Sequence, residues 1–257
     1  MDSRSVSSQL AAASPGNKVY QRRWIILGVL ITSLMAIVLD NTVLNVALKT
    51  IAEPAPAGLG ASQGQLEWAI NSYTLVFAGL LFTFGVVGDR IGRKRMLMIG
   101  MLAFGLFSLL SAYSHSPEQL VWARAAMGLG AAAVMPQTLS IISNVFEPTE
   151  RPKAIGIWAV AVGIGIAIGP IVGGLLLAHF WWGSVFLINV PIAVVGAACA
   201  FRLVPNTKNP AALAPDLTGA MLSVAGLGLL LWSLIEAPVR GCPQPRPPPP
   251  TPVSCPA

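Results

Sequence analysis

Two charged residues stand where charge is costly. Asp40 lies in AIVLDNTVLNVAL, from Ala36 to Leu48, and Arg124 lies in LVWARAAMGLGAAAVMP. Each interrupts an apolar run long enough to cross a bilayer, where an ionised side chain costs on the order of 2.5–3.5 kcal/mol by insertion scales. A carboxylate in such a setting can take up and release a proton near physiological pH, because burial and a neighbouring cation act on it in opposite directions. A proton-coupled transporter requires that chemistry. At about 100° per residue, Asp40, Asn41, Thr42 and Asn45 cover roughly half of the helical wheel. This arc is expected to face a bundle interior or a watery cavity, with Leu39, Val43 and Val46 directed elsewhere. Asp40 lies about eight residues, roughly 12 Å, below the outer end of its run, and Arg124 about six residues, roughly 9 Å, below the outer end of its own. The opposite charges reach similar depths, so electrostatic coupling between them is expected. The alternative is that each makes a separate structural contact.

The elements that must position these residues follow from composition and periodicity. The 257 residues are 54% hydrophobic and 10% charged, with a mean hydropathy of +0.70. A soluble domain carries about 25% charged residues. Seven apolar segments stand out, roughly Trp24–Val46, Trp68–Val87, Met96–Tyr113, Leu120–Ile142, Ala154–Ala178, Val185–Val204 and Leu217–Ile235. Each has about the 17–25 residues that a span needs. The fold class is therefore an all-α polytopic membrane protein, with the lipid bilayer as its first partner. The net charge of +6 fits cytoplasmic loops, and no nucleic-acid partner is expected.

Lysine and arginine alternate between connections. Arg4, Lys18, Arg22 and Arg23 precede the first span; Arg90, Arg93, Lys94 and Arg95 fill the second connection, Arg151 and Lys153 the fourth, and Arg202 and Lys208 the sixth. The first connection holds only Lys49. The positive-inside rule then places the N-terminus in the cytoplasm. The HFWW stretch places Trp181 and Trp182 as expected anchors at the outer interface. The organisation expected is a cytoplasmic segment over 1–23, a six-helix domain over 24–204, a loop and seventh helix over 205–235, and a Pro-rich disordered tail over 236–257. The cysteines Cys199, Cys242 and Cys255 and the two histidines form no ligand pattern, so no metal site is expected. No nucleophile–base or phosphate-loop pattern occurs, so an enzyme is not expected.

Two further clusters have a physical reading. In GVVGDRIGRKRML, Gly85, Gly88 and Gly92 let a short turn pack between helix ends. Asp89 can face a helix N-terminus, while Arg90, Arg93 and Lys94 can pair with acids. In GIGIAIGPIVGG, Gly165, Gly169 and Gly173 recur every four residues, with Pro170 and Gly174 added. Small residues at that spacing permit close helix approach, and proline bends the helix or weakens its backbone ladder.

These stretches resemble a known family. LDNTVLNVAL is similar to the first-helix signature of the fourteen-span drug:proton antiporters of the major facilitator superfamily. GVVGDRIGRKRML resembles that superfamily's motif A, LVWARAAMGLGAA its motif B, GIGIAIGPIVGG the antiporter motif C, and WWGSVFLINVP the sixth-helix start of the fourteen-span branch. The resemblance covers roughly Trp24 to Ile235. It departs mildly at Lys49, where proline is usual, at Met127, where glutamine is frequent, and at Gly183, where an arginine often follows the tryptophan.

The resemblance implies the N-terminal six-helix bundle of the major facilitator fold plus one linker helix, in a bacterial inner (plasma) membrane. It implies export of small amphipathic compounds or drugs, with protons as the coupling ion and no other cofactor. Asp40 and Arg124 would couple the proton. Gly85, Gly88, Asp89, Arg90, Gly92, Arg93 and Lys94 would form a latch between transporter halves. Gly165, Gly169, Pro170, Gly173 and Gly174 would limit leakage. Asn41, Asn45, Asn71, Tyr73 and Gln137 are candidates to line the cavity, although structural hydrogen bonds explain the last three at least as well. That cavity lies between two halves, so the chain is expected to be a truncated antiporter that needs a C-terminal half. Two alternatives stand beside this reading: an inactive or interfering fragment, and a metabolite facilitator or symporter.

Overall fold

The computed structural model describes residues 18–208 and 216–241. Arg4 and the other residues before 18, the stretch 209–215, and the Pro-rich stretch 242–257 with Cys242 and Cys255 lie outside the described residues. After one helical turn at Lys18–Gln21, the long helices are α1 (Arg23–Ala52), α2 (Gln63–Ile91), α3 (Arg93–Ala112), α4 (Pro117–Val145) and α5 (Arg151–His179). A turn at Ser184–Leu187 leads into α6 (Asn189–Leu203), and α7 spans Leu217–Gly241. Six helical segments, counting Ser184–Leu203 as one, are long and apolar enough to cross a membrane. The protein is therefore a multi-pass, all-α membrane protein. In α7 the apolar stretch among the described residues is shorter, Met221–Ser233.

Local sequence sets the helix ends. Ser62 and Gln65 form a reciprocal cap on α2: Ser62 Oγ accepts from the Gln65 N–H, and Gln65 Oε1 accepts from the Ser62 N–H. Ser116 caps α4 from one side, accepting from the Gln119 N–H at 3.2 Å, while Gln119 Oε1 accepts from the His115 N–H, and Pro117 is the first helical residue. Between α2 and α3 the chain turns on Gly92 alone, at φ +117, a value that L side chains rarely adopt. Pro191 cannot donate a backbone hydrogen bond one turn back, and the helix is interrupted at Ile188 just before α6 begins.

Small residues set the packing. α4 lies between α2 and α3. A Cβ built on Gly128 would come within 2.7 Å of the Tyr73 carbonyl oxygen on α2. One built on Gly130 would come within 2.6 Å of the Phe104 backbone nitrogen on α3. α1 is flanked by α5 and α6, α3 rests on α6, and α7 lies against α2, with Val224 over Gly79. Two polar clamps hold opposite ends of the bundle. Arg23 donates from Nε and Nη2 to the two Glu150 oxygens at 2.9 and 3.0 Å, joining the starts of α1 and α5. Gln65 donates to Glu118 at 2.5 Å, joining the starts of α2 and α4.

The tryptophan pair departs from expectation. Trp181 is exposed beside Tyr113, but Trp182 is buried edge-on against Phe186 at 6.4 Å. The connection after α5 turns through Gly183, close against the Ala112 carbonyl of α3, and this folds Trp182 into the core.

Because the α3–α4 contact is made by backbone, it has no flexible side chain to yield. Gly130→Val is expected to destabilise the bundle by roughly 3 kcal/mol or more. Gly163→Ala, where an added methyl meets nothing within 4 Å, is expected to change stability by less than about 1 kcal/mol. Unfolding of the purified chain in mixed micelles by increasing SDS fraction checks both.

Candidate functional site

Asp40 belongs to the buried stripe of α1, with Ser33, Ala36, Ile37, Val43, Leu44, Ala47 and Ile51. That corrects the polar-arc reading. Val43 is buried, whereas Asn45 is exposed and Asn41 half-buried. Both asparagines bond back into their own helix, to Ile37 O and Asn41 O. The arc treated all polar residues alike, but only Asp40 finds charged and amide partners on other helices. The comparison of depths also changes. α1 continues to Ala52, so Asp40 lies roughly 18 Å from its end rather than 12. The charges nonetheless meet.

They meet directly. Arg124 on α4 forms an ion pair with Asp40 through Nη1 and Oδ2, and both side chains are essentially excluded from solvent. Arg124 Nε donates to the Ala69 carbonyl on α2 at 3.2 Å, and its guanidinium stacks 4.4 Å over the Tyr73 ring. Its Nη2 has no hydrogen-bond partner. Phe186 stands 5.8 Å away on another side, and Met127 Sδ lies 3.8 Å from Nη1. The other Asp40 oxygen, Oδ1, accepts from Asn189 Nδ2 on α6 at 2.8 Å. Asn189 Nδ2 also reaches Ser108 Oγ on α3 at 3.1 Å, and Ser108 donates to the Phe186 carbonyl at 2.8 Å. Four transmembrane helices, α1, α2, α4 and α6, thus converge on the ion pair, with α3 supporting α6 through Ser108. Sequence reasoning missed Asn189 and Ser108. The available signal was a lone asparagine beside Pro191 in an otherwise apolar start.

The glycines that resemble motif C border the same site. Gly165, Gly169 and Gly173 are buried against α1 and face Met35 and Val38, then Thr42, then Val43. Gly174 faces open space, and Pro170 is exposed within a helix that continues through it.

The motif A residues sit differently from expectation. Gly85 and Gly88 lie inside α2 rather than in a loop, because the helix runs on to Ile91. Gly88 packs against the Gln137 amide and Gly85 against Pro136, both on α4. Arg93 Nε donates to Asp89 Oδ1 at 2.6 Å, and Ser140 Oγ reaches the same oxygen at 3.4 Å. Lys94 donates to the Phe201 carbonyl at 2.5 Å and pairs with no acid among the described residues. Arg90 is exposed. The segment after α6 folds over this turn. Thr207 O accepts from the Arg93 N–H at 3.1 Å, and Asn206 crowds Gly92.

The five cavity candidates differ in exposure. Gln137 is buried and donates to the Phe84 carbonyl at 2.9 Å, so it joins α4 to α2. Tyr73 is buried under Arg124 and stacked on Phe77. Asn71 is half-buried. A cavity of about 210 Å³ lies between the end of α1 and the start of α2, lined by Leu48, Lys49, Ala52, Gln63, Leu66, Glu67 and Ile70, and none of the five lines it. Among the described residues, no three His, Cys, Asp or Glu side chains gather to hold a metal ion.

Comparison with known proteins adds the following. The family model for the Major Facilitator Superfamily matches residues 19–248. The methyl viologen resistance protein SmvA of Salmonella typhimurium is 41% identical over 213 residues, covering 82% of this chain and 42% of that protein. The multidrug efflux pump LfrA of Mycolicibacterium smegmatis is 42% identical over 217 residues, covering 84% and 42%. The puromycin resistance protein pur8 of Streptomyces alboniger is 38% identical, covering 84% and 42%. The chain thus spans about two fifths of the length of these relatives. Among solved structures, a peptide transporter POT superposes with a TM-score of 0.61 at 18% identity, over 83% of this chain and 46% of that one.

A buried ion pair is asymmetric: losing one partner strands the other charge. Arg124→Ala is expected to cost about 3–5 kcal/mol, and the double variant Asp40→Asn/Arg124→Met to recover most of that loss. SDS unfolding of the three proteins measures the difference.

Proposed function

The chain belongs to the Major Facilitator Superfamily, and from that premise we propose that it serves the proton-coupled export of small amphipathic compounds. The observation that carries this reading is the buried Asp40–Arg124 pair at the convergence of four membrane helices. A carboxylate held there has two states of very different cost. Ionised, it needs Arg124. Protonated, it releases Arg124, whose guanidinium must then be satisfied elsewhere, and Nη2 already has no protein partner. Proton uptake therefore favours a different arrangement of α1 against α4. Such a switch, exposed first to one side of the membrane and then to the other, is what coupling requires. The glycine face of α5 lets α1 pack closely on it with no hydrogen bond between the two at membrane depth among the described side chains, so a shift of α1 there disturbs van der Waals contacts alone.

Orientation follows from charge. The start of α1 carries Arg22 and Arg23, the turn between α2 and α3 carries Arg90, Arg93, Lys94 and Arg95, the start of α5 carries Arg151 and Lys153, and Arg202 and Lys208 follow at the end of α6. All lie at one end of the bundle, which we assign to the cytoplasmic side of a bacterial inner membrane. The relatives' names, among them a multidrug efflux pump and a puromycin resistance protein, support drugs as the substrate class and export as the direction. In a fourteen-span exporter the path for such a compound runs between two bundles. We assign the second bundle to the remaining length of the relatives, and the motif A turn, with Asp89 and Arg93, to the contact that latches the two.

Cells loaded with ethidium and producing the 257 residues joined to the remaining C-terminal length of the LfrA relative provide the test. Efflux that collapses with the proton gradient and falls at least about tenfold in Asp40→Asn is expected, because removing the titrating group removes the coupling. Efflux indifferent to both the gradient and Asp40 overturns the proton-coupled reading. Correct membrane insertion without any efflux overturns transport by this chain and favours the interfering fragment.

A further inference from the structure

Asp40 touches two groups that differ in one chemical respect. Arg124 is a donor only, whereas an amide carries both a donor end and an acceptor. In the structure Asn189 spends its amide nitrogen on Asp40 Oδ1 and Ser108 Oγ. Its carbonyl, Oδ1, is buried with no hydrogen-bond partner. This arrangement suits the carboxylate and is incomplete in itself. When Asp40 gains a proton, its new O–H needs an acceptor. Arg124 cannot supply one, and the Ala69 and Phe186 carbonyls are already engaged by Arg124 and Ser108. Turning the Asn189 amide over brings Oδ1 to face the acid. The Ser108 hydroxyl, free to rotate, can then donate to the same oxygen instead of to Phe186.

We propose that Asn189, anchored by Ser108, is the positioning residue of the proton site: it donates to Asp40 when the carboxylate is ionised and accepts from it when the acid is protonated. The inference rests on the proton-coupling reading and extends it to a second residue. The groups facing Asp40 fit the assignment. α4 brings the charged Arg124 and α2 the titratable Tyr73. α3 and α6 bring the neutral Ser108 and Asn189, and α5 brings glycines packed on the neighbouring Thr42 and Val43. The interruption at Ile188 has a purpose on this view. It allows a new helix to start with Asn189 directed into the bundle, where the side chain is fully buried.

The test uses the 257-residue chain in lipid nanodiscs. Infrared difference spectra are recorded across a pH titration, and the carboxylic C=O band of Asp40 is assigned by its disappearance in Asp40→Asn. Asn189→Ala removes a hydrogen bond from each state of Asp40; because the bond to the ionised carboxylate is the stronger, the midpoint of that band is expected to rise by up to about one pH unit and the band to move to higher frequency. Ser108→Ala, which leaves Asn189 in place but unanchored, is expected to broaden the band and shift its midpoint in the same direction by less. It keeps the question answerable if Asn189→Ala does not fold. A band that titrates in the unsubstituted chain with midpoint and frequency unchanged in either folded variant overturns the role of Asn189 and leaves proton coupling standing. An Asp40 that never titrates in the unsubstituted chain overturns proton coupling, and this role with it.

Discussion

A carboxylate and a guanidinium brought together away from water dictate much of the rest of this structure. Neither charge is tolerable alone in the bundle interior, and their attraction compensates only if the remaining donors and acceptors are satisfied. This forces four helices to one point. α1 brings Asp40, α4 brings Arg124, α2 offers a backbone carbonyl and an aromatic face, and α6 offers an amide steadied by α3. Helices meet so closely only where side chains are small. Gly128 and Gly130 let α4 pack between α2 and α3, while Gly196 lies against Ser33 and Met101 where α6 meets α1 and α3. The glycines at these crossings let the helices come close enough to share the charge at the centre.

Much of this was legible because membrane sequences are simple. Against an apolar background a single Asp40 or Arg124 stands out, and a glycine every fourth residue announces a packing face. The expected pairing of the two charges rested on depths counted from helix ends, and the observed end of α1 at Ala52 alters that count. What was not legible lay in residues whose partners are distant in sequence. Asn189 is separated from Asp40 by 149 positions, and nothing local distinguishes it from an asparagine that begins a helix. The hydroxyl of Ser108 is equally silent in a run of small and apolar residues. Trp182 shows the converse: an aromatic at a helix end reads as an interface anchor, yet a turn through Gly183 buries it.

Motif A was misjudged for a related reason. Its glycines and charges suggest a loop, but glycine within a long apolar helix costs only about 1 kcal/mol, and close contact with another helix offsets that. Gly88 lies beneath the Gln137 amide, so the helix continues and the whole turn is left to Gly92. The segment 204–208 then closes over it, through the Arg93 N–H and Thr207 carbonyl and the contact of Asn206 with Gly92. The end of α6, which begins beside Asp40 with Asn189, is thereby tied to the turn that begins α3.

The distribution of polar contacts separates what is rigid from what can move. α4 grips the backbone of α2 at two levels, through Arg124 to the Ala69 carbonyl and through Gln137 to the Phe84 carbonyl. These levels lie about 20 Å apart along α4. Ser72 on α2 returns a bond to the Val121 carbonyl between neighbouring turns. Hydrogen bonds fixed at both levels hold two helices in one register. α1 and α5 touch differently at membrane depth. Met35, Val38, Thr42 and Val43 lie on bare glycine surface, and the polar clamp between Arg23 and Glu150 sits at one end. No hydrogen bond among the described side chains fixes α1 to α5 there, so a small displacement of α1 breaks none, although Thr42 is seated closely on Gly169. At Asp40 the same displacement breaks an ion pair. A change in the charge of Asp40 would therefore move α1 on α5 and leave α2 and α4 as the frame against which it moves.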